Sequence, residues 1–404
     1  MANKTKKMRF LGSADVVLPE GFQAAGVAAG IKGNGKLDMA LLTSDRPASV
    51  AAVFTTNQVK AASVRLDMER LKGRIARAVV VNSGNANACN GPAGMRDAKA
   101  MTRRTAALLG VPEGTVFVCS TGTIGRPLPM KCIEAGIDAL VPKRSPQGGL
   151  DVSAAILTTD TRPKRWTVPL RIGRHSVRMT GFCKGAGMIE PNMATMLAFL
   201  VTDASVGAPD LQRLLRAAVE ESFNRITIDG DRSTNDTVLF FANGASGAPV
   251  FRPGRPGWKA FEAAVYETTR ELALAIVRDG EGATRFATIR VRGARSNREA
   301  DVAARSVANS FLVKTAWAGP NPNWGRVMDA LGYSAARVVE NKVSIRFDDC
   351  LAVTHGRSGP ASQEDLCAVV AQTEFTVSID LHIGKGTAFI HTCNCTEEYV
   401  RINR

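Results

Sequence analysis

Residues 184–199 read Lys184-Gly185-Ala186-Gly187-Met188-Ile189-Glu190-Pro191-Asn192-Met193-Ala194-Thr195-Met196-Leu197-Ala198-Phe199. A Gly-rich approach carrying Pro191 leads to a small residue, then a threonine, then an apolar run. Such a run is a buried strand or the opening of a buried helix. Thr195 has two readings at this point. In one it is an ordinary capping hydroxyl at the entry to a core element. In the other its hydroxyl attacks the carbonyl of Ala194, which the small alanine side chain leaves unshielded. Cleavage there frees the α-amine of Thr195 as a base beside its own hydroxyl, and such a nucleophile needs no histidine.

The rest of the catalytic inventory suits a site without imidazole. The four histidines, His175, His355, His382 and His391, are scattered, and none adjoins a serine or cysteine nucleophile motif. There is no P-loop and no metalloprotease helix. Gly33-Asn34-Gly35 followed by Lys36 is a polar turn without the strand-turn-helix setting of a dinucleotide site. His391-Thr392-Cys393-Asn394-Cys395 could supply part of a zinc site, but no complementary CxxC or HxxxH pattern accompanies it. It reads as a strand end, and no metal is expected.

Outward from the central segment, Ala78–Val81 runs into Asn82-Ser83-Gly84-Asn85-Ala86-Asn87, and Val116–Cys119 runs into Ser120-Thr121-Gly122. Both read as buried strands ending in polar, tightly turned loops, the places where sites are built. Thr237–Phe241, Thr288–Val291, Val343–Phe347 and Phe375–Ile383 also read as strands. Helical spacing is clear in Leu211, Leu214, Leu215, Ala218 and Val219, with Asp210 as the expected cap. It recurs from Trp258 to Val277, stopping before Gly280. Pro249–Gly257 and Ser145–Gly149 read as surface loops. Strands and helices mix without regular βαβ spacing, which gives an α/β class built as α+β layers.

The totals bound the function. The chain has 404 residues, 45% of them hydrophobic and 22% charged, the balance of a soluble globular protein of about two domains. No stretch is apolar for long enough to span a membrane. The basic start lacks the apolar core of a secretory signal, so the cytoplasm is expected. The net charge of +15 is dispersed, with no block of five or six cations and with only three Tyr and four Trp. That reads as a solvated surface attractive to acidic metabolites and not as a nucleic-acid footprint. Eight cysteines are too sparse for a disulfide scaffold.

The ordered motifs along nearly the whole chain resemble the ornithine acetyltransferase family, the bifunctional glutamate N-acetyltransferases of arginine biosynthesis. The likeness begins at Pro19-Glu20-Gly21-Phe22 and Ala24–Ile31, then passes through Val53-Phe54-Thr55-Thr56-Asn57 and Asn82–Ala88. Ser120–Gly125, Thr158-Thr159-Asp160-Thr161 and the segment 184–199 follow. Asp229–Thr237, Asp279–Thr284 and Pro322–Arg326 complete it. The resemblance implies a self-cleaving enzyme of the N-terminal-nucleophile type. Its halves, residues 1–194 and 195–404, would stay together and pair into an α2β2 heterotetramer.

By the same resemblance Thr195 is the nucleophile, Thr121 and Gly122 form the oxyanion hole, and Thr158, Lys184, Thr195, Glu281 and Asn403 contact substrate. Lys184 suits a substrate carboxylate and Glu281 the ammonium of ornithine. The implied reaction moves acetyl from N-acetylornithine to glutamate by ping-pong chemistry, with acetyl-CoA as a further possible donor and no cofactor. Four features depart from the family pattern. Ala186 stands where Ser is common, Asn321 where Asp is usual, and Cys395 where an apolar residue is usual. The sequence ends at Arg404, where the family runs on to a final Thr or Ser that also reaches substrate. Two other readings of the same pattern are an amidase or aminopeptidase, with water as acceptor, and an uncleaved binding protein.

Overall fold

A long strand that bends at a proline sets the architecture. The computed structural model describes residues 12–33, 35–190 and 196–404. Strand β1 (Phe22–Val27) pairs with β2 (Met39–Phe54), and Asp45-Arg46-Pro47 in β2 are exposed between two buried stretches. Pro47 has no N–H for a ladder, and the register slips between Thr43 and Ala48. Met39–Thr43 before the slip and Ala48 and Ser49 after it pair with β3 (Ile75–Asn85), and Ser49–Phe54 pair with β8 (Thr237–Ala242). With β4 (Val116–Thr123), β5 (Lys164–Ile172), β6 (His175–Lys184) and β7 (Leu197–Thr202), the strand order is β4-β3-β2-β8-β7-β6-β5.

The bend folds this sheet onto itself. Phe117 of β4 and Phe241 of β8 are three positions apart in strand order, yet their ring centroids lie 6.0 Å apart. Period-two alternation sorts the remaining side chains. Val79, Val81, Phe117, Cys119, Leu197, Phe199, Val201 and Leu239 fill the space between the two halves. Their neighbours point outward. Ala78, Val80, Val116 and Val118 meet α1 (Ala62–Arg70), α2 (Gly91–Leu109) and α3 (Met130–Ala139). Ala198, Leu200, Val238 and Phe240 meet α5 (Ala208–Glu220) and α6 (Trp258–Arg278). The result is four layers, helix-sheet-sheet-helix, with α4 (Pro146–Ala155) contributing Val152 and Ala155 to the central layer.

The second unit is a six-stranded sheet of order β12-β11-β10-β13-β9-β14. Its strands are β9 (Phe286–Ala294), β10 (Ser344–Phe347), β11 (Cys350–Thr354), β12 (Arg357–Ser358), β13 (Glu374–Asp380) and β14 (Gly386–Cys393). Helices α7 (Asn297–Asn309), α8 (Phe311–Ala318), α9 (Trp324–Gly332) and α10 (Gln363–Ala371) cover one face around Trp317 and Val307. Thr288, Arg290, Arg346 and Ser378 line an open cleft on the other. A last short helix, α11 (Glu397–Asn403), returns to the first unit through Thr396, whose hydroxyl donates to the Gly282 carbonyl at 2.7 Å.

The expected α/β class in layers holds, and the run after residue 195 is a strand. Several local expectations change. Asn82–Asn85 and Ser120–Gly122 continue β3 and β4 instead of turning, because their backbones pair with each other in parallel register. Ser145–Gly149 is not a loop: Ser145 caps α4, accepting from Gly148 N at 3.2 Å, and Pro146 fits the first helical position. Asp210 lies inside the first turn of α5 and pairs with Arg213, while Gly207 is the cap. Two βαβ crossovers do occur, β3-α2-β4 and β7-α5-β8, each joining parallel neighbours. His391–Cys393 close β14, as a strand end should.

Where β3 and β4 reach their shared end, two glycines lie side by side. Gly84 and Gly122 are register partners with φ of +104° and +132°, and a Cβ on Gly122 would lie 2.3 Å from the Gly84 carbonyl carbon. Three residues on, Gly125 also has positive φ, but a Cβ there meets nothing within 4 Å. Gly125→Ala should therefore lose only backbone strain, about 1–2 kcal/mol. Gly122→Ala adds a backbone clash and should lose clearly more. Urea midpoints of the two variants check this ordering, and equal losses would contradict it.

Candidate active site

The two strands flanking segment 185–196 fix both of its ends. Lys184, the last residue of β6, is the register partner of Leu197, the first of β7. Leu197 in turn pairs with Thr237, whose N–H donates to the Met196 carbonyl at 3.1 Å. On the approach, Asp229 accepts from Met188 N at 2.5 Å and Ile189 N at 2.8 Å, and Glu190 N donates to the Asp231 carbonyl at 2.8 Å. Ala194 and Thr195, the expected cleavage pair and nucleophile, lie outside the described residues.

Residues 235–237 tie this region to the end of β4. The Asn235 side-chain amide donates to the carbonyls of Ala86 and Ser120, at 2.5 and 2.8 Å. Ser120 immediately precedes Thr121 and Gly122. The Cys119 thiol meets the Thr237 hydroxyl, and burial pushes that thiol well up. Thr121 is buried and Gly122 is exposed, so the end of β4 passes from core to surface at these two residues. Asp236, between Asn235 and Thr237, is buried, and burial raises its carboxyl well above the ordinary range against the pull of Lys184.

Thr158, Lys184, Glu281 and Asn403 are drawn together by a buried set of charges. Asp160 accepts from Thr158 N at 3.1 Å, Gly185 N at 2.7 Å and Lys164 Nζ at 2.6 Å. Lys164 Nζ also donates to Asp279 Oδ2 at 2.5 Å, and Thr161 N donates to the same carboxylate at 3.1 Å. The three charged side chains are at most 4% exposed. Burial works against the Asp160 charge, but Lys184 and Lys164 together hold its carboxyl well below the usual range.

Glu281 follows Asp279 by two residues, and its N–H donates to the Ala186 carbonyl at 2.8 Å. Its carboxylate lies against Gly187, where a Cβ would come within 2.4 Å of the Glu281 Cδ. Asn403 Nδ2, from α11, donates to Glu281 Oε2 at 2.6 Å. Helix α11 is held by Tyr399, whose hydroxyl donates to Asp229 Oδ2 at 3.3 Å.

Lys184 is itself buried, which lowers its pKa, with Asp160 the strongest opposing charge. A deprotonation-prone lysine among carboxylates can take a substrate carboxylate while still protonated. Glu281, capped by Asn403, offers acceptor oxygens to an ammonium. The site therefore has a cationic and an anionic end, the pattern that an amino acid requires.

Four residues in and beside this frame had no role assigned from the sequence: Asp160, Lys164, Asp279 and Lys32. Asp160 was visible inside a motif, and Lys164 follows it by four residues, but Asp279, the second carboxylate on Lys164, is 115 residues away from it. Lys32 follows β1, reaches over Gly84 and donates to the Leu37 carbonyl at 2.8 Å. Burial brings its pKa down to about 8, and the Lys184 charge is among those that lower it further. Among the described residues no group of three or more His, Cys, Asp or Glu is arranged to hold a metal, and no helix is long and apolar enough to cross a membrane.

Residues 23–404 match the ArgJ family. The chain is 50% identical to an arginine biosynthesis bifunctional protein ArgJ of Geobacter sulfurreducens, over 95% of this chain and 98% of that one. It is 47% identical to the protein of the same name from Symbiobacterium thermophilum, over 96% and 97%. A solved chain of ornithine acetyltransferase from Mycobacterium tuberculosis, complexed with ornithine, shares 42% identity over 45% of this chain and 97% of that chain, with a TM-score of 0.42. With its motifs in order and matched over nearly its full length, the chain belongs to the ArgJ family.

Proposed function

We propose that this chain is an acetyltransferase of arginine biosynthesis that moves acetyl from N-acetylornithine to glutamate through an acetyl ester on Thr195. Family membership supports the activity, and the observation that supports the site is that Asp160 ties Thr158 to the residue after Lys184, while Glu281, bonded to Asn403, donates its N–H to the Ala186 carbonyl two residues on from Lys184. Lys184 is the register partner of Leu197, which follows Thr195 by two residues in the sequence.

In this scheme the chain first cuts itself between Ala194 and Thr195, giving pieces 1–194 and 195–404. The Thr195 hydroxyl then attacks the acetyl carbonyl of N-acetylornithine while its α-amine takes the hydroxyl proton. A C–O bond forms, the C–N bond breaks, the proton passes to the departing amine, and ornithine leaves. The amine of glutamate attacks the ester, and N-acetylglutamate leaves with Thr195 restored. Thr121 and Gly122 donate to the oxyanion formed in both halves, a contribution of roughly 3–4 kcal/mol for one donor. Lys184 pairs with the substrate carboxylate, Glu281 with the ornithine ammonium, and Thr158 and Asn403 complete the contacts.

No metal or nucleotide enters this scheme, and acetyl-CoA, if used, is a second acetyl donor. The substrates are small amino-acid derivatives. The cleaved halves assemble as an α2β2 heterotetramer in the cytoplasm.

Intact mass of the purified protein beside Thr195→Ala tests the scheme at its root. Two fragments, the second starting at Thr195, and an uncut variant are expected; a single 43.0 kDa chain from both would sink it. In the active enzyme Lys184→Ala should raise KM for N-acetylornithine by roughly ten- to a hundredfold, the worth of a charged hydrogen bond. An unchanged KM would remove Lys184 from carboxylate binding.

A further inference from the structure

Lys184 and Lys164 are both buried, and the buried carboxylate they share is Asp160. Its two oxygens accept from Thr158 N, Gly185 N and Lys164 Nζ, so it binds the chain on either side of the site and the Lys164 cation, and its charge acts on Lys184. It reaches no reacting atom in the proposed scheme. We propose that Asp160 is a positioning residue that, balanced against Lys164, fixes the place and the charge of Lys184 and thereby sets how firmly the site holds a substrate carboxylate. This rests on the acetyl-transfer reading above.

The groups facing Lys184 come from four parts of the chain. Asp160 precedes β5 and Lys164 opens it, Asp236 precedes β8, and Glu281 follows α6. Lys32, after β1, feels the Lys184 charge in return, and Asp279 reaches the set through Lys164. Of the carboxylates, Asp236 is a poor counter-ion because its own burial favours the protonated form. Glu281 is committed to Asn403 on one oxygen. Asp160 is left as the principal anion, while burial and Lys164 both favour the neutral amine.

The sign follows directly. Lys184 holds a carboxylate only as an ammonium, and its folded pKa is depressed, so KM should rise as pH climbs through that pKa. Removing Asp160 depresses it further and moves the rise in KM to lower pH. Removing the Lys164 charge takes away a repelling cation and leaves Asp160 to Lys184, which moves the rise to higher pH. A purely structural role would damage both variants in the same direction.

The test measures KM and kcat for N-acetylornithine from pH 6 to 10 in the self-cleaved parent, Asp160→Asn and Lys164→Gln. Asp160→Asn should shift the KM profile down by about one pH unit, which raises KM by up to about tenfold above the parent's midpoint, with saturating kcat within about threefold of the parent. Lys164→Gln should shift the profile upward. An unmoved profile in Asp160→Asn, or shifts of one sign in both, overturns the proposal while the acetyl-transfer reading stands on the parent's own activity. If Asp160→Asn fails to fold, the Lys164→Gln profile decides: an upward shift supports the proposal, and no shift or a downward one overturns it. A parent that folds and cleaves but transfers no acetyl removes the acetyl-transfer reading, and the proposal with it.

Discussion

The burial of β7 on every side is the constraint from which the rest of the molecule follows. Leu197 to Val201 are each at most 1% exposed, and Thr202 is fully buried. One ladder runs to β6 and another to β8, so no backbone group of this strand faces solvent as an edge would. Alternate side chains serve two cores: Leu197, Phe199 and Val201 face the folded sheet, while Ala198 and Leu200 face α5 and α6. A chain cut just before such a strand does not release it. Each buried large side chain is worth roughly 1.5–3 kcal/mol, and the ladder bonds add to that. The proposed cleavage before residue 195 would thus leave the two halves associated.

That arrangement also explains why the site can carry charge where water is scarce. Burying a lone lysine costs several kcal/mol, and a buried pair is favourable only when its hydrogen-bonding capacity is filled. Here Lys164 lies between Asp160 and Asp279, and the two carboxylates also accept from the backbone at 158, 161 and 185. The cluster joins the turn before β5, the end of β6 and the end of α6. It therefore couples the geometry of three loops, so Lys184 and Glu281 are placed by rigid elements and not by their own loop conformations.

The sequence made the framework legible where the signal was local. The short apolar run Thr237–Phe241 and the spacing of Leu211–Val219 each report on neighbours within a turn or a strand, and both elements appear as expected. Short-range errors arose where polarity was taken for a loop. Ser120–Gly122 and Asn82–Asn85 are polar, but they remain strand because two glycines permit close parallel pairing. Ser145-Pro146 carried a helix-start signal that the following glycines obscured. The site residues came from motif resemblance, and the frame around them did not come at all. Lys164 and Asp279 meet only because β5 and the end of α6 are brought together by packing, which no window along the chain can register.

The histidines supply a last argument about the chemistry. His175 starts β6 and Lys184 ends it, so nine residues of extended chain, about 30 Å, separate that imidazole from the site. His355 and His382 sit on exposed turns of the second sheet. His391 is half-buried between Phe286 and Phe389, with centroids 5.4 and 5.2 Å away, and Nδ1 is bonded to the Thr288 hydroxyl at 3.0 Å. Burial and then Arg290 bring its pKa down to about 4, which keeps the ring neutral and structural at neutral pH. Of the lysines near the site, Lys164 is locked between two carboxylates, Lys184 is buried with Asp160 as its strongest opposing charge, and Lys32 donates to the Leu37 carbonyl. A hydroxyl nucleophile here has to find its base in its immediate surroundings, and an α-amine on the same residue meets that requirement without any further side chain.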